Sequence, residues 1–155
     1  MNTLRDCTPQ ETTEHSTYLK STPVAQFGIA LGQGRLILKK GLIQGYEDLG
    51  NSKTIFGELG GLKAQDLLNR SNFLVSDALE ILTNPKCSDL RSLVSINYFL
   101  CQFDRKGINA KITFFKDENN LSIVDGNKRA IAVYNWVKDN PIDGFQLEVF
   151  IIETI

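Results

Sequence analysis

The chain has 155 residues, enough for one domain with a sizeable hydrophobic core, and its 42% hydrophobic and 23% charged residues are ordinary for a globular fold. A net charge of −1 excludes a generally basic nucleic-acid-binding surface and leaves room only for a local basic patch. No apolar run reaches the length of a membrane span, and the polar first twenty residues lack the apolar centre of a signal peptide; the expectation is a cytoplasmic protein with no membrane partner.

Cysteine and histidine usage narrows the chemistry. Cys7, Cys87 and Cys101 are odd in number and widely spaced, showing neither metal-ligand spacing nor a disulfide framework, and no metal ligands are assigned. Cys101 lies in an apolar helix-like run and reads as a buried structural thiol. His15 is the only histidine. A zinc site with several histidines is therefore impossible, and a Ser–His or Cys–His pair would depend on a residue that reads as solvated in a polar tail.

In chain order, residues 1–22 are rich in Thr, Ser, Glu and Gln without periodicity and read as a flexible leader to a single domain over 23–155. Val24 to Gly61 is glycine-heavy and reads as loops and short strands, with Arg35-Leu36-Ile37-Leu38 a strand that Lys39-Lys40 ends. Gly57-Glu58-Leu59-Gly60-Gly61 precedes a short helix over Leu62–Asn69 and is a candidate second phosphate-approaching loop, although it lacks Walker spacing. Ser76 is placed to cap a helix carrying Ala78, Leu79 and Leu82, which Asn84-Pro85 stops. Ser88 or Asp89 caps the next helix. There Leu90, Leu93, Val94, Leu100 and Cys101 share a face widened by Ile96, Phe99 and Phe103, and Gly107 is its stop.

Lys111–Lys116 and Leu121–Val124 alternate as two strands around the turn Asp117–Asn120. Ala130–Val137 reads as a buried helix with Tyr134 and Trp136 in the core. Asn140-Pro141 and Asp143-Gly144 are turn signals. A last strand sets Phe145, Leu147, Val149 and Ile151 against Gln146, Glu148, Phe150 and Ile152. Helices followed by β-β-α-β predict an α+β domain with its best-supported core in 73–155.

Asp125-Gly126-Asn127-Lys128-Arg129 joins the second strand to the buried helix. Backbone N–H groups at a helix start are unpaired and partly positive, which favours an anion such as phosphate. Gly126 permits a sharp turn and close backbone approach. Asn127 can cap the helix or donate its amide to a ligand. Lys128 supplies a mobile charge and Arg129 a planar fork that matches two phosphate oxygens. Asp125 can orient Arg129, hold a metal ion beside a nucleotide, or act as a base. Two cations at this position oppose the helix dipole by about 0.3–1 kcal/mol each, so a purely structural reason for them is hard to find.

The run Leu121–Ala132, a strand followed by Asp-Gly-x-x-Arg and a helix of small apolar residues, resembles the signature of the ParB/sulfiredoxin-like superfamily. The strands at 111–116 and 145–152 resemble that fold's order, so the resemblance spans about the last 50 residues. It implies a nucleotide or another phosphorylated ligand at Gly126, Asn127, Lys128 and Arg129. If turnover occurs, the expected class is phosphoryl transfer or nucleotide hydrolysis using Mg²⁺ with a nucleoside triphosphate, with Asp125 as a carboxylate and Glu58, from the glycine-rich loop outside the resemblance, a second one if the two helix starts converge. The sulfiredoxin branch carries a reactive cysteine in the turn where this chain has Asn127 and Lys128, and the serine-kinase branch carries a histidine that is absent here. Asp125–Ala130 is also similar to the core of the Fic/Doc motif, with Leu121 in place of its histidine base and Ile123 in place of its aromatic residue. That resemblance implies an all-helical protein that binds nucleotide without the base. A third expectation is a non-catalytic interaction module of a phage, plasmid or defence system, with the charged turn meeting nucleic acid or an acidic protein surface.

Overall fold

In the computed structural model the described residues are 1–54, 73–83, 90–118 and 120–155, and they form a mixed α+β fold. The elements in order are β1 (Asn2–Asp6), α1 (Pro9–Lys20), α2 (Ala25–Gly32), β2 (Leu36–Gln44), α3 (Tyr46–Gly50), β3 (Lys53–Thr54), β4 (Phe73–Leu74), α4 (Val75–Thr83), α5 (Leu90–Lys106), β5 (Thr113–Asp117), β6 (Asn120–Asp125), α6 (Asn127–Asp139) and β7 (Gln146–Thr154). Among the described residues the strands make one sheet ordered β1-β2-β7-β5-β6-β3-β4. Two neighbouring pairs, β7/β5 and β6/β3, run parallel and the others antiparallel. The predicted β-β-α-β order is present as β5-β6-α6-β7.

Both faces of the sheet are covered, because alternate side chains along its central strands are apolar in both directions. Val149 and Ile151 of β7, Phe114 of β5 and Ile123 of β6 face a core shared with α3, α4, α5 and α6, including Leu49, Val75, Leu82, Ile96, Phe103, Ile131 and Val133. Ile152, Val124 and Leu38 face the other way, onto Leu19 of α1 and Val24, Phe27 and Leu31 in and beside α2. Tyr134 is buried in the first core as expected, and Trp136 packs at its margin while its indole N–H donates to Asp104 Oδ1 at 2.8 Å.

Four expectations are corrected. The first concerns residues 1–22, which are part of the fold: β1 lies beside β2 at the sheet edge and α1 packs under α2. All β1 side chains are exposed, so ladder hydrogen bonds hold it and hydrophobic patterning cannot reveal it. Helix α1 starts on a capping box, in which Thr8 Oγ1 accepts from Glu11 N–H at 3.1 Å and Glu11 Oε1 accepts from Thr8 N–H at 2.9 Å, with Pro9 at the first helical position.

The second is the glycine-rich stretch, which contains α2, α3 and a nine-residue β2 that runs through Lys39-Lys40. These lysines are retained in the strand by ion pairs to β7, Lys39 Nζ to Glu153 at 2.7 Å and Lys40 Nζ to Glu148 at 2.9 Å. Third, α5 is rotated relative to the expected face. Ile96 and Phe103 are buried, while Leu90, Val94 and Cys101 are exposed, so Cys101 is not a core thiol. Fourth, α4 begins at Val75, placing Ser76 inside its first turn instead of at its cap. The expected caps and stops at 84–89, the helix over Leu62–Asn69 and the loop carrying Glu58 lie outside the described residues.

Helices α1 and α2 meet backbone to backbone at Gly28. A Cβ there would lie 2.6 Å from the Ser16 carbonyl oxygen and 2.8 Å from Lys20 N, and the Ser16 hydroxyl donates to the Gly28 carbonyl at 2.6 Å. Gly28→Ala is expected to lower stability by about 1–2 kcal/mol, the forced separation outweighing the gain in helix propensity. Urea unfolding measures this, and an unchanged or raised midpoint would contradict the close crossing.

Candidate functional site

Strand β6 delivers Asp125 to one end of the sheet, opposite Thr113 of β5 and near Thr54 at the end of the parallel strand β3. Gly126 then turns the chain with φ 86° and ψ 26°, in the left-handed region. A Cβ at Gly126 would lie 2.6 Å from the Lys111 carbonyl oxygen, so both the backbone angle and the close approach require glycine. The first helical bond of α6, from Ala130 N–H to Gly126 O, is 2.8 Å. Because the N-cap residue is Gly126, α6 has no side-chain cap bond. Asn127 is therefore not the cap; its Oδ1 instead accepts from Thr54 Oγ1 at 2.6 Å and ties the helix start to β3. The N–H groups of Lys128 and Arg129 belong to the first turn, where no intrahelical acceptor exists.

Arg129 reaches back around the sheet end to α1. Its Nη2 donates to Asp125 Oδ2 at 3.3 Å and to the Tyr18 hydroxyl oxygen at 3.1 Å, and the Tyr18 hydroxyl donates to the same Asp125 Oδ2 at 2.7 Å. The Asp125 and Arg129 side chains are 12% and 25% exposed, so the ion pair is partly desolvated yet open on one side. Burial pushes the Tyr18 phenol up from its usual range, outweighing the opposite effect of the Arg129 bond, and the hydroxyl stays protonated as a donor. Of the roles anticipated for Asp125, orienting Arg129 matches this geometry, since its closest partner is the phenol and its other is the guanidinium. Lys111 Nζ stands 4.0 Å from the centroid of the Tyr18 ring. Lys128 is half-buried. Among the described residues Asp125 thus pairs with Arg129, while Lys128 lies in the first turn of α6 and Lys111 rests on the Tyr18 ring.

Glu58 is outside the described residues. Among the described residues no group of three or more His, Cys, Asp or Glu side chains could hold a metal ion. A divalent ion carried by ligand phosphates needs only one or two carboxylates, and Asp125 is the one present. A separate open cleft of about 340 Å³ is lined by Gln44, Tyr46, Glu47, Ile142, Phe145 and Gln146, none of them an expected site residue.

Sequence reasoning missed Tyr18, Lys111 and the position of His15. Far from being solvated, His15 is 2% exposed, stacked on Phe150 with centroids 4.0 Å apart, and its Nε2 lies 2.9 Å from Thr113 Oγ1. Its Nδ1 has no partner. The available signal was the Thr8-x-x-Glu11 capping box. Once a helix begins there, His15, Tyr18 and Leu19 fall at i, i+3 and i+4 on one face.

Comparison with known families, characterised proteins and solved structures finds no match to this chain.

Two expectations follow from these contacts. Desolvation, aided by Lys111 and Lys40, lowers the His15 pKa from 6.5 to about 4. The unfolded chain therefore binds a proton between these values that the folded chain refuses. Stability is full above about pH 6.5 and falls by about 3 kcal/mol as pH drops through the window to about 4. Urea unfolding from pH 7 to pH 4 should show this loss, and His15→Gln should flatten it; an equally steep loss in His15→Gln would assign the effect elsewhere. Tyr18→Phe removes one donor to Asp125 and one acceptor from Arg129 and should lower stability by about 1–2 kcal/mol. Thermal or urea unfolding that shows no loss would mean the phenol bonds contribute nothing.

Proposed function

We propose that this domain binds a phosphorylated ligand, a nucleotide foremost, at the Asp125–Arg129 turn. The observation that carries this reading is the start of α6. It has a glycine N-cap without a side-chain acceptor, and Lys128 and Arg129 occupy its first turn against the sign of the helix dipole. Such an arrangement is unfavourable in isolation and becomes favourable when an anion accepts from the N–H groups and pairs with both side chains. Arg129 is pre-oriented by Asp125 and Tyr18 through a single nitrogen, Nη2, which leaves other guanidinium donors to face a ligand. The mixed sheet and its β-β-α-β order lend support to the ParB/sulfiredoxin-like resemblance over the all-helical Fic/Doc one.

Binding is the core of the reading, with phosphoryl transfer or nucleotide hydrolysis its enzymatic extension. With Asp125 committed to Tyr18 and Arg129, the described residues favour recognition of phosphate over base catalysis. The test is thermal unfolding with nucleoside triphosphates and Mg²⁺. The intact protein should gain stability as RT ln(1 + [L]/Kd), about 2.7 kcal/mol at a hundredfold excess over Kd, and Arg129→Ala should abolish the gain. Absence of any shift with nucleotides or phosphometabolites contradicts the proposal. Binding to single- or double-stranded nucleic acid that persists without nucleotide and weakens steeply with salt would favour the interaction-module reading instead.

A further inference from the structure

We infer that helix α1 is an acid-released clamp: protonation of His15 opens it from the sheet, and Tyr18 leaves the Asp125–Arg129 pair with it. The device requires no ligand at the 125–129 turn and stands whether or not one binds there.

His15 cannot carry a charge comfortably where it sits. It is 2% exposed, its Nε2 lies 2.9 Å from Thr113 Oγ1, and its buried Nδ1 has no partner. Protonation makes both ring nitrogens donors. Nε2 can still donate to Thr113, whereas the Nδ1 proton meets no acceptor among the described residues. A buried donor left without an acceptor is unfavourable.

The surroundings oppose the charge as well. The imidazole stacks on Phe150 with centroids 4.0 Å apart and lies 5.6 Å from the ring of Tyr18. Both aromatic rings already hold an ammonium: Lys40 Nζ is 4.0 Å from the Phe150 centroid, and Lys111 Nζ is 4.0 Å from that of Tyr18. An imidazolium would be a third cation on two rings. Among the described residues no acid of the packed elements is free to offset it. Helix α2 has no titratable side chain. On β7, Glu153 and Glu148 pair with Lys39 and Lys40. Asp125 of β6 is held by Tyr18 and Arg129. On α1 itself, Glu11 pairs with Arg5 and Glu14 accepts from Gln10. Burial, with Lys111 and Lys40 adding to it, accordingly holds the His15 pKa at about 4.

Helix α1 is also weakly held by apolar contact. Its buried residues are His15, Ser16 and Leu19, a single aliphatic side chain, whereas α6 buries Ile131, Val133, Tyr134 and Val137 as well as two alanines. Segments with few buried apolar contacts open locally at lower free energy than the core. His15 and Tyr18 lie one turn apart on the same face, so opening hydrates the imidazole and breaks both phenol bonds together. Arg129 is then left with Asp125 alone.

Native-state hydrogen exchange, read amide by amide by NMR and corrected for intrinsic exchange rates, tests the clamp. The opening constant of the α1 amides should rise about twentyfold from pH 7 to pH 5. That is the factor by which an open form titrating at 6.5 outbinds a closed form titrating at about 4. These amides should open at lower free energy than those of α6 and β7, with little dependence on added denaturant. His15→Gln should remove the pH dependence, and Tyr18→Phe should raise opening at both pH values while keeping their ratio. His15 is the only histidine, so its ring signal reads the closed state in the unmodified protein even where His15→Gln fails to fold. Its midpoint should lie well below 6.5. A midpoint near 6.5 with α1 still protected, opening of α1 only together with α6 and β7, or the same rise in His15→Gln would each overturn the inference.

Discussion

One phenol connects the two halves of this protein. Helix α1 lies on one face of the sheet and α6 on the other, yet the Tyr18 hydroxyl joins them around the sheet end by donating to Asp125 and accepting from Arg129. Helix α1 reaches that position because its capping box fixes where it starts, and His15 and Leu19 bury the same face that carries Tyr18. Remove the phenol bonds, and Arg129 and Asp125 keep only the single 3.3 Å contact between them. With them, the guanidinium has a defined direction.

The glycine at 126 is the second constraint, and it works through geometry alone. Its left-handed backbone and its contact with the Lys111 carbonyl bring β5 against the start of α6. The consequence is electrostatic: a helix start without a side-chain cap that carries two cations, Lys128 and Arg129, in its first turn. Structure usually avoids this combination, since the dipole and the side chains carry the same sign. A local disagreement between propensity and outcome of this kind is where function is expected to reside.

What was legible in the sequence divides along physical lines. The β5-β6-α6-β7 unit was readable because its strands are short runs of β-branched and aromatic residues bounded by turn residues and its helix is flanked by glycine and asparagine signals, so composition and punctuation agree. The pentapeptide's position between β6 and α6 was readable for the same reason. Lys39-Lys40 misled because strand continuity there depends on Glu148 and Glu153, acids over a hundred residues away in sequence. Helix α5 misled because its apolar residues outnumber one face: Leu90 and Val94 look as core-like as Ile96 and Phe103, and only the neighbouring helices decide which are covered. The N-terminal segment misled because β1 is held by backbone hydrogen bonds and α1 buries a histidine and a serine, none of which registers as hydrophobic pattern. The candidate site was accordingly half legible. Its turn residues are contiguous, while Tyr18 and Lys111 arrive from elsewhere and only the fold brings them in.

The most direct test of the central claim is an NMR titration of the ¹⁵N-labelled protein with inorganic phosphate, following individual backbone amides. If the α6 start is an anion receptacle, the amides of Lys128 and Arg129 shift together and saturate, and the Tyr18 region moves with them through Arg129. Saturable shifts confined to other parts of the molecule, or none at any amide, would contradict it.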